Sequence, residues 1–91
     1  MTEDEKVLRA DHAQTLVNNP LLKKTIAVIK QMIFEEWEEA TDEAVRDELW
    51  RQQRAVTSFE GVLLGYIQTG EIARKQLLQQ RNFKQRVKKE I

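Results

Sequence analysis

The sequence predicts an all-α protein: a short N-terminal helix plus an antiparallel helical hairpin with a very long third helix, dimerising in coiled-coil fashion. Only three glycines and one proline occur in 91 residues, which leaves little material for turns and disfavours a β architecture. Apolar residues recur with helical spacing in three successive segments. From Val45 to Ile91 they follow a heptad spacing for almost seven repeats, as in a helix that lies against another helix.

Composition limits the remaining choices. With 41% hydrophobic and 33% charged residues, the chain is predicted to form one folded, soluble domain, 1–91. So short a chain has a limited core, for which dimerisation is a common remedy. The absence of cysteine excludes disulfides and thiolate metal sites. The acidic N-terminus is unlike a signal peptide and no apolar run is long enough to span a bilayer, so a cytoplasmic location without membrane contact is expected.

The first helix is predicted from about residue 3 to residue 17. Thr2 and Glu5 have the spacing of a capping box, in which each side chain bonds the other's backbone amide. Asn18-Asn19-Pro20 then separates this helix from the next. We expect Asn18 in a left-handed conformation, Asn19 as the cap of the second helix, and Pro20 in its first turn.

The second helix is predicted over residues 20–40 and is the most apolar segment. Its main stripe is widened on both sides, so we expect it to contact more than one neighbour. The stripe consists of Leu22, Ile26, Ile29, Ile33 and Trp37, and the widening residues are Leu21, Val28, Met32 and Phe34. Glutamates at 35, 36, 38 and 39 put negative charge at the negative end of the helix dipole. We expect either Arg46, Arg51 and Arg54 or the basic tail of a partner to offset that charge.

The third helix is predicted over about 42–88, with Thr41 or Asp42 as its cap. The connection to the second helix is nearly absent, so the two form an antiparallel hairpin. Twenty residues of the second helix cover the third only as far as about Phe59 to Gly65, and the first helix covers part of the remainder. At Gly70 the helix either continues, straight or bent, or ends and restarts; continuity is favoured.

The uncovered part of the third helix predicts self-association. Gly61 and Gly65, with Ser58 and Thr69, would allow two helices to approach closely. The expected oligomer interface consists of Phe59, Gly61, Leu63, Gly65, Tyr66, Ile67, Gly70 and Leu77.

Charge is distributed unevenly along the chain. Residues 1–50 hold twelve acidic and six basic side chains, whereas residues 51–91 hold three acidic and nine basic. One interpretation is mutual attraction of helix faces when the chain folds back or dimerises antiparallel. The other is a basic tail for an anionic partner such as nucleic acid. The candidate contacts are Arg74, Lys75, Arg81, Lys84, Arg86, Lys88 and Lys89.

Nothing in the sequence predicts catalysis, a cofactor, a metal or a small-molecule substrate. His12 is the single histidine and is interpreted as solvated, and there is no glycine-rich phosphate loop. The acidic residues 35–43 lack the alternating ligands and turn glycine of a calcium loop, so they are interpreted as acidic surface. Trp37 and Trp50 are interpreted as core or interface residues.

Several short motifs resemble small, mostly uncharacterised helical proteins of tailed bacteriophages. They are Asn19-Pro20-Leu21-Leu22, Trp37, Arg46-Asp47-Glu48-Leu49-Trp50 and Thr69-Gly70-Glu71-Ile72-Ala73. The resemblance implies an accessory or virion-assembly protein, in the host cytoplasm or the virion. The predicted function is therefore a non-enzymatic protein–protein interaction module. The alternatives are a nucleic-acid-associated protein that uses the basic tail and an inhibitor that binds a host protein through the acidic surface.

Overall fold

Three helices account for nearly all of the chain in the structure, a computed structural model that describes residues 1–90 and the side chains of residues 1–88. They are α1 (Glu3–Asn18), α2 (Pro20–Glu39) and α3 (Glu43–Glu90). No strand occurs among the described residues, so the predicted all-helical class is confirmed. The seam residue Ile91 and the side chain of Lys89 lie outside the described residues.

Local side-chain bonds define where the helices begin. The capping box is confirmed: the Glu5 amide donates to Thr2 Oγ1 at 3.1 Å, and the Thr2 amide donates to Glu5 Oε1 at 3.4 Å. Asn19 Oδ1 accepts from the Leu21 and Leu22 amides, which confirms it as the cap of α2. Asp42 caps α3 by accepting from the Ala44 amide at 2.8 Å.

One detail of the helix ends differs from the sequence-based expectation. Asn18 is the last residue of α1 and is right-handed, because no described residue has a positive φ. The prediction of a left-handed Asn18 is therefore wrong; the Asn19 amide, which donates to the Leu16 carbonyl, closes the last turn instead. At Gly70, α3 continues without interruption.

The chain packs as two compact units, one of which is the hairpin unit, Leu16–Val62. In it α2 runs antiparallel to the first part of α3. Lys30 Nζ lies 2.6 Å from Glu60 Oε1. Further along α2, the guanidinium carbon of Arg46 lies 3.8 Å from the centroid of the Trp37 ring. Leu49 is the buried leucine of this unit. The predicted hairpin is thus present.

The other unit joins Met1–Thr15 to α3 from Leu63 onward, and we call it the α1–α3 unit. Its two helices run parallel, because successive residues of α1 meet successive residues of α3. Arg9 lies over the ring of Tyr66 at 4.2 Å from the centroid, and Asp11 pairs with Arg74 further along both helices. Ala10, Ala13, Leu63, Gly70 and Ala73 are buried between the helices.

Candidate protein-interaction surface

Several residues predicted for self-association are covered by α1 instead. Leu63 is 8% exposed and Gly70 is buried against Ala10. A Cβ at Gly70 would overlap the Cβ of Ala10 and lie 3.2 Å from the Lys6 carbonyl oxygen. Glycine is therefore required at position 70 for contact within the chain, which leaves no surface at that point for a second copy.

The other predicted interface residues are partly or largely exposed to solvent. Tyr66, Ile67 and Leu77 are partly buried, whereas Phe59 is 48% exposed. Nothing lies within 4 Å of a Cβ added at Gly61 or Gly65, so both glycines face open space. The use of these positions in an oligomer stays a prediction.

Helix α2 exposes the apolar surface that the sequence-based interface did not include. It is the most apolar of the three helices, yet none of its described residues is buried. Its inward residues Leu22, Ile26 and Ile33 are only partly buried. Its remaining large apolar side chains are exposed on both sides of the hairpin: Leu21, Val28, Ile29, Met32, Phe34 and Trp37. The sequence did indicate this surface, because α2 has apolar residues on two faces and a single neighbouring helix cannot cover both.

One side of the hairpin carries a groove of about 340 Å³, which we call the aliphatic groove. It is lined by Ile29, Met32, Ile33, Glu36, Gln52, Ala55 and Val56. Met32 at its edge is 54% exposed. Glu36 is the single charged residue of this lining, so the groove is apolar with one acidic margin.

A second groove of the hairpin unit, of about 570 Å³, is lined by aromatic residues and is called the aromatic groove. Its lining residues are Ala27, Lys30, Gln31, Ile33, Phe34, Trp37, Leu49, Trp50 and Gln53. Arg46 stacks on Trp37, and Arg54 lies 5.0 Å from the centroid of Trp50. Each indole therefore already has a cation on one face, and that face is covered within the chain.

The nearby arginines form no ion pair with the acidic end of α2 among the described residues. Arg46 and Arg54 stack on the tryptophans, and Arg51 pairs with Glu48 at 3.1 Å. No ion pair between described residues involves a glutamate of the last turns of α2, and those turns contain no basic residue. Arg46 nevertheless lies beside Trp37 in the last turns of α2, so the expectation that these arginines or a partner's basic tail offset the charge stays a prediction.

The basic C-terminal part of α3 is exposed along its described length. From Leu78 to Lys88 every side chain is exposed, including Phe83 at 67%. Of the predicted anionic-partner contacts, Arg74 pairs with Asp11, whereas no ion pair within the described region involves Arg81, Lys84, Arg86 or Lys88. Lys75 is exposed as well.

The described residues show neither a metal-binding cluster nor a membrane span. His12 is exposed on α1. Among the described side chains, no three from histidine, cysteine, aspartate or glutamate are grouped so that they could hold a metal ion. No helix in that range combines the length and the apolar character needed to cross a bilayer.

No family model, curated protein or solved structure matches this chain. The resemblance to phage proteins, and the accessory or virion-assembly role that it implies, therefore stay predictions from the short motifs. The inhibitor role stays a prediction from the acidic surface. The surfaces described above are the basis for the functional proposal.

Proposed function

We propose that this protein is a non-enzymatic protein–protein interaction module that acts by self-association through the aliphatic groove. The observation that carries the proposal is the exposure of α2, the most apolar helix, none of whose described residues is buried. A helix that is apolar on more than one face normally lies in the interior of an assembly. Contiguous exposed apolar surface of this kind is typical of an interface.

The aliphatic groove suits a second protein better than the aromatic groove does. Its lining contains no cation that covers the apolar residues, whereas Arg46 and Arg54 lie on the indoles of the other groove. Val28 lies one turn before Met32 on the same side of α2, and Phe59 lies one turn after Ala55 on α3. The two exposed side chains extend the apolar surface beyond the groove itself.

Charge favours another copy of this chain as the occupant. The hairpin unit contains nine acidic and six basic residues, whereas the α1–α3 unit contains six acidic and nine basic. The two units thus have opposite net charges, so contact between unlike units of two copies would bring opposite charges together. Electrostatic complementarity of this kind favours the correct orientation of two partners.

The proposal is tested by sedimentation equilibrium over a range of protein concentrations, with Met32→Lys as the disrupting variant. Lysine is as good a helix former as methionine, and Glu36 one turn away would stabilise its charge, so the fold is retained. We expect an oligomer for the natural sequence and at least about tenfold weaker association for Met32→Lys, since burying the ammonium would cost several kcal/mol.

The matched control is Glu38→Gln. It changes the net charge by the same amount on the same helix but removes no apolar surface. We expect its association constant to equal that of the natural sequence. A monomer at all concentrations, or equal association of Met32→Lys and the natural sequence, would contradict the proposal.

A further inference from the structure

Two clusters of opposite charge lack ion-pair partners within the described chain, and both lie at an end of a helix. The acidic cluster consists of Glu35, Glu36 and Glu39 in the last turns of α2. The basic cluster consists of Arg81, Lys84 and Lys88 near the end of α3. Glu35 accepts a hydrogen bond from Gln31 at 3.1 Å, but no ion pair joins either cluster to another described residue.

The acidic cluster borders an apolar surface. Glu36 lines the aliphatic groove directly, and Glu35 and Glu39 lie three and seven residues beyond Met32, on neighbouring turns of the same helix. The negative end of the helix dipole lies at the same place and adds to the attraction for cations. A helix that binds in this groove needs apolar residues that contact the groove and basic residues that lie beside the acidic cluster.

The C-terminal part of α3 has both kinds of residue. Leu78 and Phe83 are exposed, and cations occur between and after them at positions 81, 84, 86 and 88. The described side chains from residue 78 to residue 88 are all exposed. An exposed basic helix with apolar anchors is the type of segment that binds in a groove on a partner.

We infer that residues 78–88 of one copy bind the acidic end of the aliphatic groove of a second copy, so that the two chains associate antiparallel. The inference rests on the proposed self-association and adds its orientation and its electrostatic component. Because the contact is symmetric, each chain supplies one basic segment and one acidic groove end.

Two charge-reversal variants test this arrangement. The tail variant carries Arg81→Glu, Lys84→Glu and Lys88→Glu; the groove-end variant carries Glu35→Lys, Glu36→Lys and Glu39→Lys. Each variant alone brings like charges together in its own dimer, so we expect at least about tenfold weaker self-association in about 50 mM salt, where screening is weak. When the two are mixed in equal amounts, each acidic tail meets a basic groove end, and we expect heterodimers with restored affinity.

A control double variant, Lys23→Glu with Lys24→Glu, reverses two charges in the first turns of α2, away from the acidic end. We expect its association to be unchanged. Circular dichroism establishes that all variants remain helical. Association is measured by sedimentation velocity, with a fluorescent label on one variant to detect the heterodimer.

The outcomes separate this inference from the proposed function. If the two reversed variants associate as the natural sequence does, or if mixing them restores nothing, the inference is overturned, while dissociation by Met32→Lys would still support the self-association. A natural sequence that stays monomeric overturns both. If the tail variant loses the binding to duplex DNA that the natural sequence shows in low salt, but self-associates as the natural sequence does, the basic segment binds nucleic acid and the inference is overturned.

Discussion

In the α1–α3 unit, Ala10 and Ala13 lie directly against α3 and are buried, although they are among the smallest side chains of the protein. In the hairpin unit, Met32 and Trp50 are more than half exposed, although they are among the largest. The size of a side chain therefore does not decide its burial in this molecule. Small residues allow two helices to approach until the backbones are nearly in contact.

The difference follows from how much surface a single neighbouring helix can cover. Where the residues are small, as at Ala10, Gly70 and Ala73, one neighbouring helix is enough to bury them. A helix with apolar residues on two sides needs at least two neighbours, and within the hairpin unit α2 has only α3. The small residues of the α1–α3 contact are therefore buried within the chain, whereas α2 in the hairpin keeps an exposed apolar surface.

The largest effect is expected at Leu49, because it is the buried leucine of the hairpin unit. Leu49→Ala is expected to lower the free energy of unfolding by about 2–5 kcal/mol, since it removes buried methyl groups and leaves a cavity. Urea denaturation followed by circular dichroism measures the change. Val45→Ala on the same helix, at a position that is 49% exposed, is the control, and a loss as large as that of Leu49→Ala would show that Leu49 is not the centre of this unit.

A smaller loss is expected where α1 meets α3. The methyl group in Gly70→Ala overlaps Ala10, so the helices must separate, at a cost of about 1–3 kcal/mol. The better helix propensity of alanine offsets this by up to about 1 kcal/mol. A net decrease in the free energy of unfolding is expected in the same urea assay.

The reason for that loss is tested by exchanging the two residues. Ala10→Gly combined with Gly70→Ala moves the methyl group to the opposite helix and removes the overlap. We expect the double variant to recover part of the stability lost by Gly70→Ala, as the coupling term of a double-mutant cycle. Purely additive changes would mean that the two residues do not pack against each other.

The cap of α2 contributes less than either packing contact. Asn19→Ala removes the acceptor of the Leu21 and Leu22 amides and is expected to cost about 1 kcal/mol. Asn19→Asp keeps an acceptor oxygen at the same place, and its melting temperature should stay close to that of the natural sequence. If both variants melt alike, the amides of the first turn are not stabilised by this side chain.

The smallest effect is expected at Gly61, and it has the opposite sign from that at Gly70. An added Cβ meets nothing within 4 Å, so Gly61→Ala should raise the free energy of unfolding by about 0.5–1 kcal/mol through helix propensity. Sedimentation of the same variant sharpens the comparison. Weaker association together with greater stability would place Gly61 where two copies approach closely, whereas unchanged association would leave it as an exposed helix position.

Local chemistry made the helices predictable. The capping box at Thr2 and the Asn19-Pro20 start of α2 are written in neighbouring residues, because caps and propensities act over one helical turn. The heptad spacing in α3 likewise predicted a long helix that packs on its neighbours. The acidic end of α2 and the basic end of α3 were visible in the same way, as runs of charge.

Only the tertiary structure decided which apolar residues are covered by another helix of the same chain. Leu63 and Gly70 belong to the same heptad seam as Phe59, yet α1 covers the first two and leaves the third exposed. It also decided that Arg46 and Arg54 stack on tryptophan instead of pairing with the glutamates of α2. A periodic pattern specifies which face of a helix is apolar, but which neighbour covers that face depends on how closely the backbones approach, and that is set by contacts between residues far apart in the chain.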